Sequence, residues 1–247
     1  MNLFSGIAYL FHIIFYQPLL NALILLYVFV AGRDFGVAII LLTIFIRLLL
    51  YPLMAESIRV QKVTNELQPK IKEIQEKYKH NKEQQATLHL QLLKDHNVNL
   101  FNSFFATLIQ LPILVALYQV FINGLHAGVL VQLYSFVPNP DAIDPVFLHI
   151  IDLSKPNVGL VLAAGILQFF QSKMFYPAPG TSGGTGQSKT SPMPSAMQKQ
   201  ILYVLPVATV LIFWNFPAAL SLYWVITSAC AIVQQKIIFK KLALMTK

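Results

Sequence analysis

Charge is what this sequence has least of. Asp, Glu, Lys and Arg make up 11% of its 247 residues, and hydrophobic residues 56%. An ordinary soluble domain has about 25% and 45–50%. A soluble chain of this size coats its cores with charge, and here there is too little for that coat. The single cysteine, Cys230, excludes a disulfide scaffold. Glycine has no period, and the chain is too apolar for a disordered segment. The six histidines are scattered and make no Cys/His set at metal spacing, so no metal site is expected. None of the ten carboxylates falls in a long apolar run. That removes the groups with which pumps and proton-coupled transporters relay protons or hold coupling ions. The glycine-rich stretch Gly180–Gly186 lacks GxxxxGK[ST] and follows no strand. With no Ser/His/Asp set at membrane depth either, the chain reads as a non-enzyme without a cofactor.

What is present is long apolar runs, with a mean hydropathy of +0.61. A bilayer core of about 30 Å needs about 20 apolar residues per helix. Five stretches qualify, and the expected fold is an all-α integral membrane protein. Residues 35–54 form the first span, 101–123 the second, 157–175 the third, 200–216 the fourth and 218–239 the fifth. Pro217 makes the last two a tight hairpin. Residues 1–34 form an N-terminal segment whose first 31 residues carry no formal side-chain charge. Pro18 breaks this run and Gly32-Arg33-Asp34 ends it. Two readings stay open for it: a sixth span, or a helix lying in the interface with Gln17 and Asn21 on a thin polar face.

Basic residues orient the chain. Eight lie between the first two spans, three around the third-to-fourth connection (Lys173, Lys189, Lys199) and four at the C-terminal end. The opposite side has Arg33 and Lys155. This bias makes the first side cytoplasmic, places the N-terminal segment outside and puts the C-terminus inside. Residues 124–156 are then an external loop, 176–199 a flexible cytoplasmic loop and 240–247 a basic cytoplasmic tail.

Residues 55–100 read as a cytoplasmic helical hairpin. Val63, Leu67, Ile71, Ile74 and Tyr78 form an apolar stripe at helical spacing. Glu73 and Lys77 make a helix-supporting pair, Pro69 kinks or restarts the first arm, and Lys79–Lys82 form a turn. The second arm, Glu83–His96, presents Ala86, Leu90 and Leu93. The charges Lys70, Lys72, Lys77, Lys79 and Lys82, with Lys240 and Lys241 in the tail, are either a solvated face or a docking surface for anionic lipid, a nascent chain or ribosomal RNA.

Arg47 is the most informative residue. It lies about 12 residues into the first span, about 10 Å from its cytoplasmic end at 1.5 Å per residue. A charge there costs at least about 2.5 kcal/mol and normally faces protein or water. It has no carboxylate within any span to pair with. Either it snorkels to the head groups or it lines a hydrated intramembrane groove. Thr43 shares its helix. The second span presents Ser103, Thr107 and Gln110 on one face, the third Gln168 and Gln171, and the fifth Ser221, Trp224, Ser228 and Gln235 in one stripe. Singly these are ordinary interhelical hydrogen-bonding groups. Beside an unpaired arginine they suggest a polar, cationic groove open to the cytoplasm and to lipid.

Several ordered motifs resemble one family. They are Tyr16-Gln17-Pro18-Leu19-Leu20, the run Gly36–Leu53 around Arg47, Leu67–Tyr78, Ile109-Gln110-Leu111-Pro112-Ile113 and Phe216–Trp224. Together they are similar, over about Tyr16 to Lys241, to the YidC/Oxa1/Alb3 membrane protein insertases, of the five-span bacterial YidC type. The resemblance implies an external interfacial helix over about Phe15–Val30, a groove arginine at Arg47, and substrate-contacting positions at Gln110 and Trp224. It also implies nascent membrane proteins as partners, with the Sec translocon and the ribosome beside them, in the bacterial plasma membrane. Ala219 stands where the family usually has Gly, and Ser228 where it has Asn. The large external domain of Gram-negative members is absent from this sequence. The expected function is insertion of client proteins through the groove. The rivals are an anion channel or facilitative transporter with a cationic vestibule, and a membrane-anchored scaffold.

Overall fold

The computed structural model describes residues 3–123, 132–175 and 195–245, without the side chains of residues 3, 4, 100–104, 106, 107, 123, 175, 195–201 and 245. Most of the expected loop 176–199, and with it Lys189, lies outside the described residues. So do Lys247, His126 and the side chains of Ser103 and Thr107.

The described residues form an all-α membrane protein. Helix α1 (Leu3–Phe11) runs through a π-helical turn (His12–Tyr16) into α2 (Gln17–Phe29). Pro18 therefore does not break the run, contrary to expectation. The wider turn comes first: the Gln17 N–H reaches back to His12 O, and Pro18 then sits in the first turn of α2, where its missing N–H costs nothing. The stretch Ser5–Phe29 is long and apolar enough to cross a membrane by itself. Gln17 and Asn21 do share a face, but it points into the protein. Gln17 Nε2 donates to Gln132 O at 3.3 Å, and Asn21 Oδ1 accepts from Tyr134 N at 2.7 Å.

Asp34 caps α3 (Phe35–Leu49), its Oδ1 accepting from Val37 N at 2.9 Å. The turn before it needs Gly32 at a φ of 61°, a left-handed conformation open to glycine. The first apolar run does not continue as one helix to residue 54. It turns by 66° at Leu50 into α4 (Tyr51–Glu66). Pro52 explains the bend, because it cannot donate to the Leu48 carbonyl and its ring crowds that carbonyl. Instead Leu50 N donates to Ile46 O and Leu48 O.

Leu67 then separates α4 from α5 (Gln68–Lys77), which starts afresh with Pro69 in its first turn. Asn81 caps α6 (Lys82–Asp95) through Gln84 N at 3.1 Å. Val60, Leu67, Ile71, Leu93 and Val98 form the small core of this hairpin. Leu90, expected on the packing face, is exposed, as is Ala86. Leu93 is buried as expected, and Leu92 rather than Leu90 packs beside it. Glu73 and Lys77 form no ion pair among the described residues; the surface pairs here are Arg59–Glu56 and Lys62–Glu66.

Four more long helices complete the bundle, the first three being α7 (Leu100–Asn123), α8 (Val158–Phe175) and α9 (Ser195–Phe213). The last, α10 (Ala218–Met245), has 28 residues and packs on α3, α4, α7 and α8. The main core gathers α2, α3, α7 and α10 around Leu20, Ile24, Phe35, Ile39, Leu117 and Tyr223. The connection between α7 and α8 carries a two-residue hairpin, Val146–Phe147 paired with Ile151–Asp152. It is stitched across the bundle. Asp144 N donates to Tyr27 OH, Leu148 N to Asp34 Oδ2, and the N-terminal amides of α10, Ala218 and Ala219, donate to Lys155 O and Leu153 O. This loop end lies opposite the α5–α6 hairpin end.

Candidate functional site

Arg47 lies two residues before the end of α3, so the bend at Leu50 brings its backbone closer to the hairpin end than a straight span would. Its side chain still reaches inward. Helical side chains lean toward the N-terminus of their helix, which for α3 is the loop end. Gln234 Nε2, on α10, donates to Arg47 O at 3.3 Å and marks the level of its backbone. The ionisable groups whose field Arg47 shares are Tyr223 and Cys230. They stand about three turns and one turn nearer the loop end of α10. Among the described residues no carboxylate forms an ion pair with Arg47. Arg47 is largely buried, within electrostatic reach of Tyr223 and Cys230 on α10.

Two polar seams run along α10. One carries Tyr223, Thr227, Cys230 and Gln234 at helical spacing and faces Arg47 and α7; the Tyr223 hydroxyl accepts from Gln110 Nε2. The other carries Ser221, Trp224, Ser228 and Gln235 and turns toward α8, where Trp224 Nε1 donates to Gln168 Oε1 at 3.1 Å. Several of these groups are buried without a partner: Ser221 Oγ, Gln234 Oε1 and both ends of the Gln235 amide. Buried polar atoms are costly unless something satisfies them, so the interior of this bundle is built for polar company. The Thr43 hydroxyl is spent on its own helix, donating to Ile39 O at 2.6 Å, and offers nothing to a neighbour. Gln171 is partly buried on α8. A cavity of about 440 Å³ opens instead at the loop end, between Tyr27, Arg33, Asp34, Asp144 and His149.

Sequence spacing identified the second seam but missed the first. Tyr223 passes for one more aromatic in an apolar run, and Gln234 lies one residue off the expected stripe. Their signal was a parallel stripe at 223, 227, 230 and 234. Of the lysines considered for docking, Lys70, Lys77, Lys79, Lys82, Lys240 and Lys241 are exposed, and Lys72 is partly covered. Lys77 Nζ lies 5.8 Å from the Tyr78 ring centre. No cluster of three or more His, Cys, Asp or Glu occurs among the described residues.

The model of the 60Kd inner membrane protein family matches residues 25–245. The chain belongs to that family. It is similar to two proteins named membrane protein insertase YidC along most of their length. One, from Clostridium tetani, is 34% identical over 210 residues, covering 85% of this chain and 83% of that protein. The other, from Fusobacterium nucleatum, is 30% identical over 208 residues, covering 84% and 87%. A protein of the same name from Geobacter metallireducens is 29% identical over 232 residues, but the chain spans only 37% of its length. The matched region includes Arg47 and both seams of α10.

Proposed function

We propose that the protein is a membrane protein insertase of the bacterial membrane. It has no catalytic step. The observation that carries this reading is Arg47, turned into the bundle and unpaired by any carboxylate among the described residues, beside buried polar groups that lack partners. Its N-terminus lies outside and its C-terminus inside. Arg47 draws the acidic external segment of a client into the polar interior, which shortens the apolar path that segment has to cross and so lowers the cost of moving charge. Gln110, Gln168, Gln171, Ser221, Trp224 and Ser228 line that route, with Ser103 and Thr107 placed there by their spacing. The client's apolar helix then leaves into lipid, driven by burial of about 20 apolar residues. The lysines of the α5–α6 hairpin and tail receive clients, ribosomes or the Sec translocon.

Reconstitution in liposomes tests this with single-span clients carrying acidic external segments. Arg47→Ala is expected to lower their insertion about tenfold, equivalent to about 1.4 kcal/mol. Equal insertion by both proteins across several such clients would remove Arg47 from the mechanism.

A further inference from the structure

The bend after Arg47 leaves the end of α3 with carbonyl groups to satisfy, as every helix end does. Pro52 makes this worse by withholding the N–H that Leu48 O would accept. The protein meets one of these needs from another helix: Gln234, buried on α10, donates its amide to Arg47 O. Beyond the bend, three turns into α4, Lys62 lies 5.7 Å from the ring centre of Phe239 on α10. The C-terminal half of α10 therefore grips the chain on both sides of the bend.

We propose that Gln234 is a positioning residue for Arg47. Its amide fixes the last turn of α3 against α10, and that fixes the direction in which the guanidinium enters the bundle. Without this bond the end of α3 is free to rotate at Leu50, and the arginine can swing toward the hairpin-end head groups. The proposal rests on the insertase reading above, because the service it renders is to the arginine that draws acidic segments. Two features make Gln234 suitable. A glutamine amide donates without adding charge, so it does not compete for the guanidinium. Its position on the seam of Tyr223, Thr227 and Cys230 puts it in register with the groups whose field Arg47 shares.

The test uses the full chain in liposomes and two clients that differ only in whether the external segment is acidic or neutralised. The reading is the ratio of acidic to neutral insertion. Gln234→Met keeps length and helix propensity but cannot donate, and is expected to lower the ratio about three- to tenfold, the range of one lost hydrogen bond. Gln234→Glu also cannot donate, and its carboxylate pairs with Arg47, so it should lower the ratio further. Neutral-client insertion should stay within about twofold of wild type for the Met variant, the size of effect that leaves a fold intact. A Met variant that loses both clients equally would assign Gln234 to packing alone and overturn the proposal. An unchanged ratio would overturn it too, provided Arg47→Ala collapses the ratio in the same assay. If Arg47→Ala leaves the ratio unchanged, the arginine mechanism itself fails, independently of Gln234.

Discussion

Asp152 sits far from Arg47 and titrates in a way that reports on the loop end. Hydrogen bonds from Lys155 and then Ser154 hold its carboxyl well below the usual range, at about 2. The same contact raises the Lys155 ammonium. A depressed carboxyl contributes stability that is fully present above its unfolded value near 4 and is lost as pH falls toward 2. Lys155 O and Leu153 O hold the first amides of α10, so the loss should appear there. Hydrogen exchange at Ala218 and Ala219, corrected for intrinsic rates, should be constant from pH 6 to 4 and accelerate below it. Asp152→Asn should exchange faster at pH 6 and lose the pH dependence. Residues of this kind are hard to find in a sequence, because Asp152 is one acid among ten and its role comes from a turn that brings Lys155 within 2.8 Å. Arg47 was easy to find, since a charge inside an apolar run is conspicuous wherever the run folds. Tyr223 and Gln234 were not, since their importance depends on which face of α10 meets α3.

Elements were legible in kind and less so at their joints. The runs of apolar residues predict the helices, and the stripe Leu67, Ile71 and its partners predict the hairpin core. What failed was local: Pro18 is absorbed by a π-turn, Pro52 turns the first span into a bent pair, and Leu90 faces solvent. Each failure concerns how a proline or a register is resolved by neighbours, which composition does not record. One joint makes a sharp prediction. A Cβ on Gly36, in the first turn of α3, would lie 2.1 Å from the Phe147 ring. Phe147 belongs to the small β hairpin, so Gly36→Ala must push that hairpin away. Overpacking of this sort costs about 1–3 kcal/mol, and the unfolding midpoint in detergent should drop. Gly6→Ala, inside α1 with nothing within 4 Å of its Cβ, is the matched control and should leave the midpoint unchanged or raised, since alanine favours a helix over glycine.

The whole molecule has two unlike ends, and its placement across the bilayer can be read with one reporter. Cys230 is the only cysteine, so a Cys230→Ser background needs no further changes. In intact cells, Asn139→Cys in the Pro-rich loop should react with a membrane-impermeant thiol reagent. Lys94→Cys on α6 should react only after permeabilisation. The reverse pattern would invert the orientation drawn from the lysines. The bundle's asymmetry also has an electrical consequence. At the loop end, hydrogen bonds to side chains of α2 and the α3 cap and to the backbone of α10 hold the connection, and Leu153 is fully buried beneath it. On the function proposed above, in which the groove admits water to Arg47 from the cytoplasm, that stitched layer would be the insulator, and the transmembrane voltage would fall across it rather than across the full hydrocarbon thickness. Each 100 mV is worth about 2.3 kcal/mol per elementary charge. An acidic client segment drawn to Arg47 as proposed would stand at the foot of this steepened field, and a positive-outside potential would pull it outward over a short distance.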